Sequence, residues 1–125
     1  MQYLLDTHTL IWWLANDANL SLNAKNVITD PSNLIFVSAA STWEIAIKKS
    51  LGKLESPDDL LKQIKVNQFK SLPIDLEETL VVETLPTYHQ DPFDRILIAQ
   101  AQFFDLTIIT GDRQFEFYDV KLLKC

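Results

Sequence analysis

The chain has 125 residues, enough for one domain with a core of useful size. It is 47% hydrophobic and 22% charged, an ordinary globular composition, and no apolar run approaches the ~20 residues that cross a bilayer. The net charge of -6 excludes a generic basic surface for nucleic acid, yet leaves room for an enzyme whose acids hold cations.

Gln2–Asp6 reads as a buried strand, with Asp6 closing the apolar run Tyr3-Leu4-Leu5. A short helix follows over about His8–Ala15. On its wheel Leu10, Ile11, Trp13 and Leu14 share one face, which puts Trp12 on the opposite side. Trp12 there is either the anchor for a protein partner or is covered by a neighbouring loop or a second copy. Ser21–Asp30 predicts a helix with Leu20, Ala24, Val27 and Ile28 along one stripe, and Leu34–Val37 a second buried strand. The next helix spans Ser41–Leu51 and stops at Gly52. Ser41-Thr42-Trp43-Glu44 fits a capping box, and Glu44 with Lys48 a helical ion pair. Ser56-Pro57 has the residue preferences of another helix start. A short strand near Ser71–Pro73 precedes a helix capped by Asp75, with Glu78 three residues on. Asp91-Pro92 opens a long helix to about Phe104, apolar almost all round and therefore expected at the centre. Leu106–Thr110 is the clearest strand and Val120–Leu123 the last. Strands alternating with helices predict one doubly wound α/β domain over residues 1–125, with a parallel sheet.

The lone Cys125 excludes a disulfide framework, and with no basic region at the N-terminus the expected location is the reducing cytoplasm. Gly52 and Gly111 are the only glycines, which removes the G-x-G-x-x-G and P-loop motifs. His8 and His89 lack a second His or a Cys at ligand spacing, which argues against zinc. A Ser-His-Asp triad lacks the G-x-S-x-G elbow. What remains is acidic. Asp6 and Asp112 follow strands, whereas Glu44 and Asp94 open apolar helical patterns. In an open parallel sheet all four positions meet at one edge. Each has a structural reading as a cap, a turn residue or an ion-pair partner. Together they would repel one another unless a hard divalent cation lay among them, and that constellation suits phosphoryl chemistry.

At these residues the sequence resembles a PIN domain, in particular the VapC-like toxin ribonucleases of type II toxin-antitoxin systems. The matching segments are Leu4-Leu5-Asp6-Thr7-His8-Thr9-Leu10-Ile11-Trp12, Ser41-Thr42-Trp43-Glu44-Ile45-Ala46-Ile47-Lys48, His89-Gln90-Asp91-Pro92-Phe93-Asp94-Arg95-Ile96-Leu97-Ile98-Ala99-Gln100-Ala101 and Thr110-Gly111-Asp112-Arg113-Gln114-Phe115. The resemblance implies a three-layer α/β/α sandwich and a Mg²⁺- or Mn²⁺-dependent endoribonuclease. It puts the family's acids on Asp6, Glu44, Asp94 and Asp112, with Thr110 orienting a ligand or water. It further implies a cognate antitoxin, a homodimer, and structured RNA such as transfer or ribosomal RNA as substrate; no membrane partner is expected, since no apolar run is long enough to span one. Lys48, Arg95 and Arg113 neighbour the acids and are the candidates for phosphate contacts. Two rival readings stand beside it. A phosphoacceptor receiver domain would need an acid pair after the first strand, where Asp6 is followed by Thr7. A non-catalytic interaction module would use its acids only as caps.

Overall fold

Alternation along a strand sends successive side chains to opposite faces, and the first strand shows what this sequence does with that rule. In the computed structural model, which describes residues 1–125, β1 is Gln2–Leu5. Tyr3 and Leu5 point into one apolar layer with Ile35, Val37 and Ile109, whereas Leu4 points into the other with Ile108 and Leu72. A strand buried on both faces is the mark of a parallel sheet covered by helices on each side.

The further elements are α1 (Thr7–Leu14), α2 (Leu22–Thr29), β2 (Leu34–Ser38), α3 (Ala39–Ser50), α4 (Leu60–Val66), β3 (Lys70–Leu72), α5 (Leu76–Val81), α6 (Pro92–Phe104), β4 (Thr107–Thr110) and β5 (Lys121–Lys124). Single 3₁₀ turns lie at Val82–Thr84 and Arg113–Phe117. All strand pairings are parallel, in the order β3-β2-β1-β4-β5. Leu10, Leu20, Ala24, Ile28 and Ile64 bring α1, α2 and α4 onto the face of Tyr3 and Leu5. Leu97, Ile98 and Ala101 of α6, with Phe115, cover the face of Leu4. The result is the three-layer α/β/α sandwich expected from the sequence. Strand order discriminates further: a receiver domain runs 2-1-3-4-5, not 3-2-1-4-5.

Several helix starts differ from expectation. The cap of α3 is Ser38, whose hydroxyl accepts from the Ala40 amide, and Ser41 lies inside the helix. Ser38 leaves β2 directly into the helix, so no loop separates them. Ser56-Pro57 starts nothing; α4 begins at Leu60, and Asp59 makes no side-chain cap bond. Asp75 precedes α5 without a side-chain cap bond. Glu78 is instead fully buried, accepting from Gln100 Nε2 at 3.1 Å, and Gln100 accepts from Ser38 Oγ at 2.6 Å. This buried polar chain ties α5, α6 and β2 together. By contrast α6 follows the sequence closely. Asp91 accepts from the Phe93 and Asp94 amides, Pro92 occupies the first turn, and Asp105 ends the helix in the left-handed conformation (φ 55°).

Candidate metal centre at the sheet's carboxyl edge

The strand order reverses between the parallel neighbours β1 and β4, and the crevice beyond their carboxyl ends is where open α/β sheets keep ligands. Asp6 leaves β1 there and Thr110 ends β4 there. Asp6 is buried. Its Oδ1 accepts from the Thr9 amide at 2.7 Å, capping α1, and its Oδ2 accepts a short hydrogen bond from the Thr110 hydroxyl. Thr110 Oγ1 in turn accepts from the Asp112 amide at 3.0 Å. One threonine thus fixes both the carboxylate of β1 and the loop after β4.

Asp112 Oδ1 accepts from the Gln114 amide at 2.9 Å, while Oδ2 faces inward. Glu44 of α3 is 3% exposed. Its Oε2 takes the Lys48 ammonium at 2.7 Å, and its Oε1 is buried with no hydrogen-bond partner. The structural and functional readings of these acids therefore coexist. Asp6, Glu44 and Asp112 each give one oxygen to local structure and turn the other elsewhere.

Electrostatics shows how closely the acids gather. Burial pushes the Asp94 carboxyl up to about 8, and the charges of Asp91, Glu44, Asp6 and Asp112 push in the same direction. Burial also raises Asp6, against the lowering effect of its bonds from Thr110 and Thr9. Lys48 is raised chiefly by its hydrogen bond to Glu44, with help from Asp91 and Asp94. An orphaned buried oxygen on Glu44 and a carboxyl crowded by four others are the marks of a site that a cation would complete. The donors are hard carboxylate oxygens, which fit Mg²⁺ or Mn²⁺.

The four predicted acids and Thr110 thus belong to one neighbourhood. Asp91, expected only as a helix cap, adds a fifth charge. His89 is the residue that sequence reasoning missed: its Nε2 lies 2.9 Å from Asp94 Oδ2 and 3.1 Å from Asp112 Oδ2. No periodic or spacing signal marks it, because its partners are on different elements.

Arg95 departs from expectation. Its guanidinium donates to the backbone carbonyls of Val82, Leu85, Pro86 and His89 and to the Tyr118 hydroxyl, so it clamps the segment before α6 rather than projecting toward phosphate. Arg113 is exposed and Lys48 half-buried. Trp12 is half-buried as well, packed against the core beside Gly111, where an added Cβ would meet its ring at 3.4 Å. The exposed tryptophan is Trp43, which meets Phe93 edge-on at 5.1 Å. A surface groove lined in part by Asp30, Asn33, Lys65 and Lys70 lies where β2 and β3 begin and gathers none of these acids.

The sequence profile of the PIN domain matches residues 3–121. No curated protein sequence gives a match. Among solved structures the chain resembles VapBC2 from Rickettsia felis bound to a DNA fragment from the promoter (TM-score 0.71, 15% identity, covering 99% of this chain and 98% of that one). It also resembles DNA-bound VapBC from Salmonella typhimurium (TM-score 0.71, 17% identity, 99% and 98% covered). A third is FitAcB from Neisseria gonorrhoeae (TM-score 0.62, 18% identity, 97% and 96% covered). At such identities the likeness is one of fold.

Proposed function

The chain belongs to the PIN domain family, and on that premise we propose that it is a Mg²⁺- or Mn²⁺-dependent endoribonuclease, the toxin of a type II toxin-antitoxin pair. The observation that carries the reading is the crowding at Asp94, whose carboxyl is pushed up to about 8 by burial and four neighbouring acids, beside a buried Glu44 oxygen with no partner. Acids kept so close cost stability unless they serve a charged ligand.

Asp6, Glu44, Asp94 and Asp112 would hold the ion or ions. When bound, such a cation lowers the pKa of a coordinated water and neutralises charge on the departing oxygen of a phosphodiester. The chain supplies the positioning. Thr110 holds Asp6 by its hydroxyl and the Asp112 amide by its oxygen, so the two carboxylates keep one relative placement. The cap bonds from Thr9 and Gln114 restrain one oxygen of each. Lys48 and the exposed Arg113 stand beside the acids as the cations available to substrate phosphates. No side-chain nucleophile is required. Structured RNA, such as transfer or ribosomal RNA, is the proposed substrate.

The VapBC and FitAB complexes among the structural neighbours support an antitoxin as partner. An acidic cleft of this kind attracts an arginine side chain, which would compete with metal. Trp12, half-buried at the edge of α1, remains the proposed apolar contact for that partner, and a homodimer the proposed assembly. The decisive experiment is incubation of the purified chain with RNA in Mg²⁺, in EDTA, and as Asp94→Asn. Cleavage confined to the first condition is expected. Undiminished cleavage by Asp94→Asn would remove the assignment.

A further inference from the structure

His89 is held from every side. The Asp91 amide donates to its Nδ1 at 3.2 Å, which uses that nitrogen's lone pair and leaves the ring proton on Nε2. The ring packs edge-on against the buried Phe115 at 5.9 Å. Its own amide donates to Tyr118 Oη at 2.8 Å, and its carbonyl accepts from Arg95 at 3.2 Å. Thus anchored, Nε2 reaches Oδ2 of both Asp94 and Asp112.

By distance alone these groups form a three-ligand site, since the atoms lie within 4.8 Å of one another. The tautomer argues otherwise. A ring nitrogen that carries a proton has no lone pair to give a cation, whereas it can donate to two carboxylates at once.

We infer that His89 is a positioning residue of the metal centre. Its Nε2–H ties the carboxylate of α6 to that of the loop after β4, leaving Asp94 Oδ1 and a second lone pair on each shared oxygen to the cation. Without the shared donor, Asp94 and Asp112, both ionised when they hold a cation, would lose their common placement under mutual repulsion. Partners of this kind, which orient ligands without touching the ion, are a recurrent part of metal sites. The inference rests on the metal-dependent nuclease reading and adds a residue to it.

The test measures Mn²⁺ binding by the electron paramagnetic resonance of the free ion. His89→Phe keeps a ring against Phe115 and removes both nitrogens. Its Mn²⁺ affinity is expected to fall about 10- to 100-fold, with recovery in His89→Gln, whose amide can donate. Binding as tight as in the unaltered chain would overturn the positioning role alone. An unaltered chain that binds no Mn²⁺ would overturn the nuclease reading with it. A second measurement needs no substitution: ¹⁵N spectra of the imidazoles in the unaltered chain during Mg²⁺ titration. Nε2 is expected to keep its proton at saturation. Loss of that proton would make His89 a direct ligand and overturn the inference.

Discussion

Asp94 carries a consequence for stability that is separable from its proposed role at the metal centre. Its carboxyl is held up at about 8 in the folded chain, against 3.8 for the free side chain. Between those values the folded state binds the proton and the unfolded state does not, so stability falls as pH rises through the window. Burial of Asp6 works in the same direction. Asp30, Asp58 and Glu116 are lowered by hydrogen bonds from Ser32, Lys49 and Lys124, which affects stability only at more acid pH. In EDTA the melting temperature should therefore decline from about pH 5 to about pH 8. Asp94→Asn should flatten the decline, because an amide cannot titrate. A melting temperature that rises over this range in the metal-free chain would contradict the crowding. The four acids were legible because Asp and Glu at strand ends and helix starts stand out against apolar runs. The partner of Asp94 and Asp112 was not: His89 acts across three segments, and a lone histidine in a loop carries no pattern.

At the scale of elements, the segment from Val82 to His89 is shaped by Arg95 and Tyr118. Arg95 donates to four of its carbonyls, and Tyr118 Oη donates to Pro86 O at 2.8 Å. Arg95→Met should lower stability by about 2 to 3 kcal/mol, since bonds from a charged donor are lost and carbonyls left partly unpaired. Its effect on the salt dependence of RNA binding should be nil. Lys48→Ala and Arg113→Ala should each flatten that dependence by about one unit of slope. Chemical denaturation and binding titrations at several salt concentrations measure the two effects independently, and an unchanged slope in both variants would withdraw them from the phosphate contacts. The sequence pointed to phosphate for all three cations because proximity to acids along the chain was the only available signal. The carbonyls that capture Arg95 become neighbours only after α6 packs against the 3₁₀ turn. Helix starts erred for a related reason. Ser41 and Glu44 fit a capping box, yet β2 runs straight into α3, so the local motif yields to the longer helix. Pro92 after Asp91 had no such competitor, and α6 begins as its residues dictate.

Over the whole molecule, periodicity sufficed for the layers and for parallel pairing, because β1, β2 and β4 are apolar on both faces. Strand order is set by which runs touch which, and the alternation of strands and helices fits more than one order. Divalent cations should stabilise the complete fold, since a preformed cluster of acids exists only in the native state. Mg²⁺ at tenfold over its dissociation constant adds about 1.4 kcal/mol. Calorimetric melts in Mg²⁺ against a matched monovalent salt measure this, and coincident transitions would count against a preformed site. The 3-2-1-4-5 order also governs when this site can come into being. The strand made first lies at the centre, and its second neighbour arrives about a hundred residues later: the Thr110–Asp6 bond joins positions 104 apart. Pairings so distant in sequence close late in folding. On a translating ribosome, β1 waits beside β2 while α6 is still being synthesised, and the crevice has only one wall until β4 emerges. Asp112 follows two residues behind Thr110, so the last acid reaches the centre almost with the strand that closes it. A nascent chain halted before β4 thus holds three of the four acids and one wall of the crevice, so that on the nuclease reading proposed above the activity arrives only with the end of the sheet.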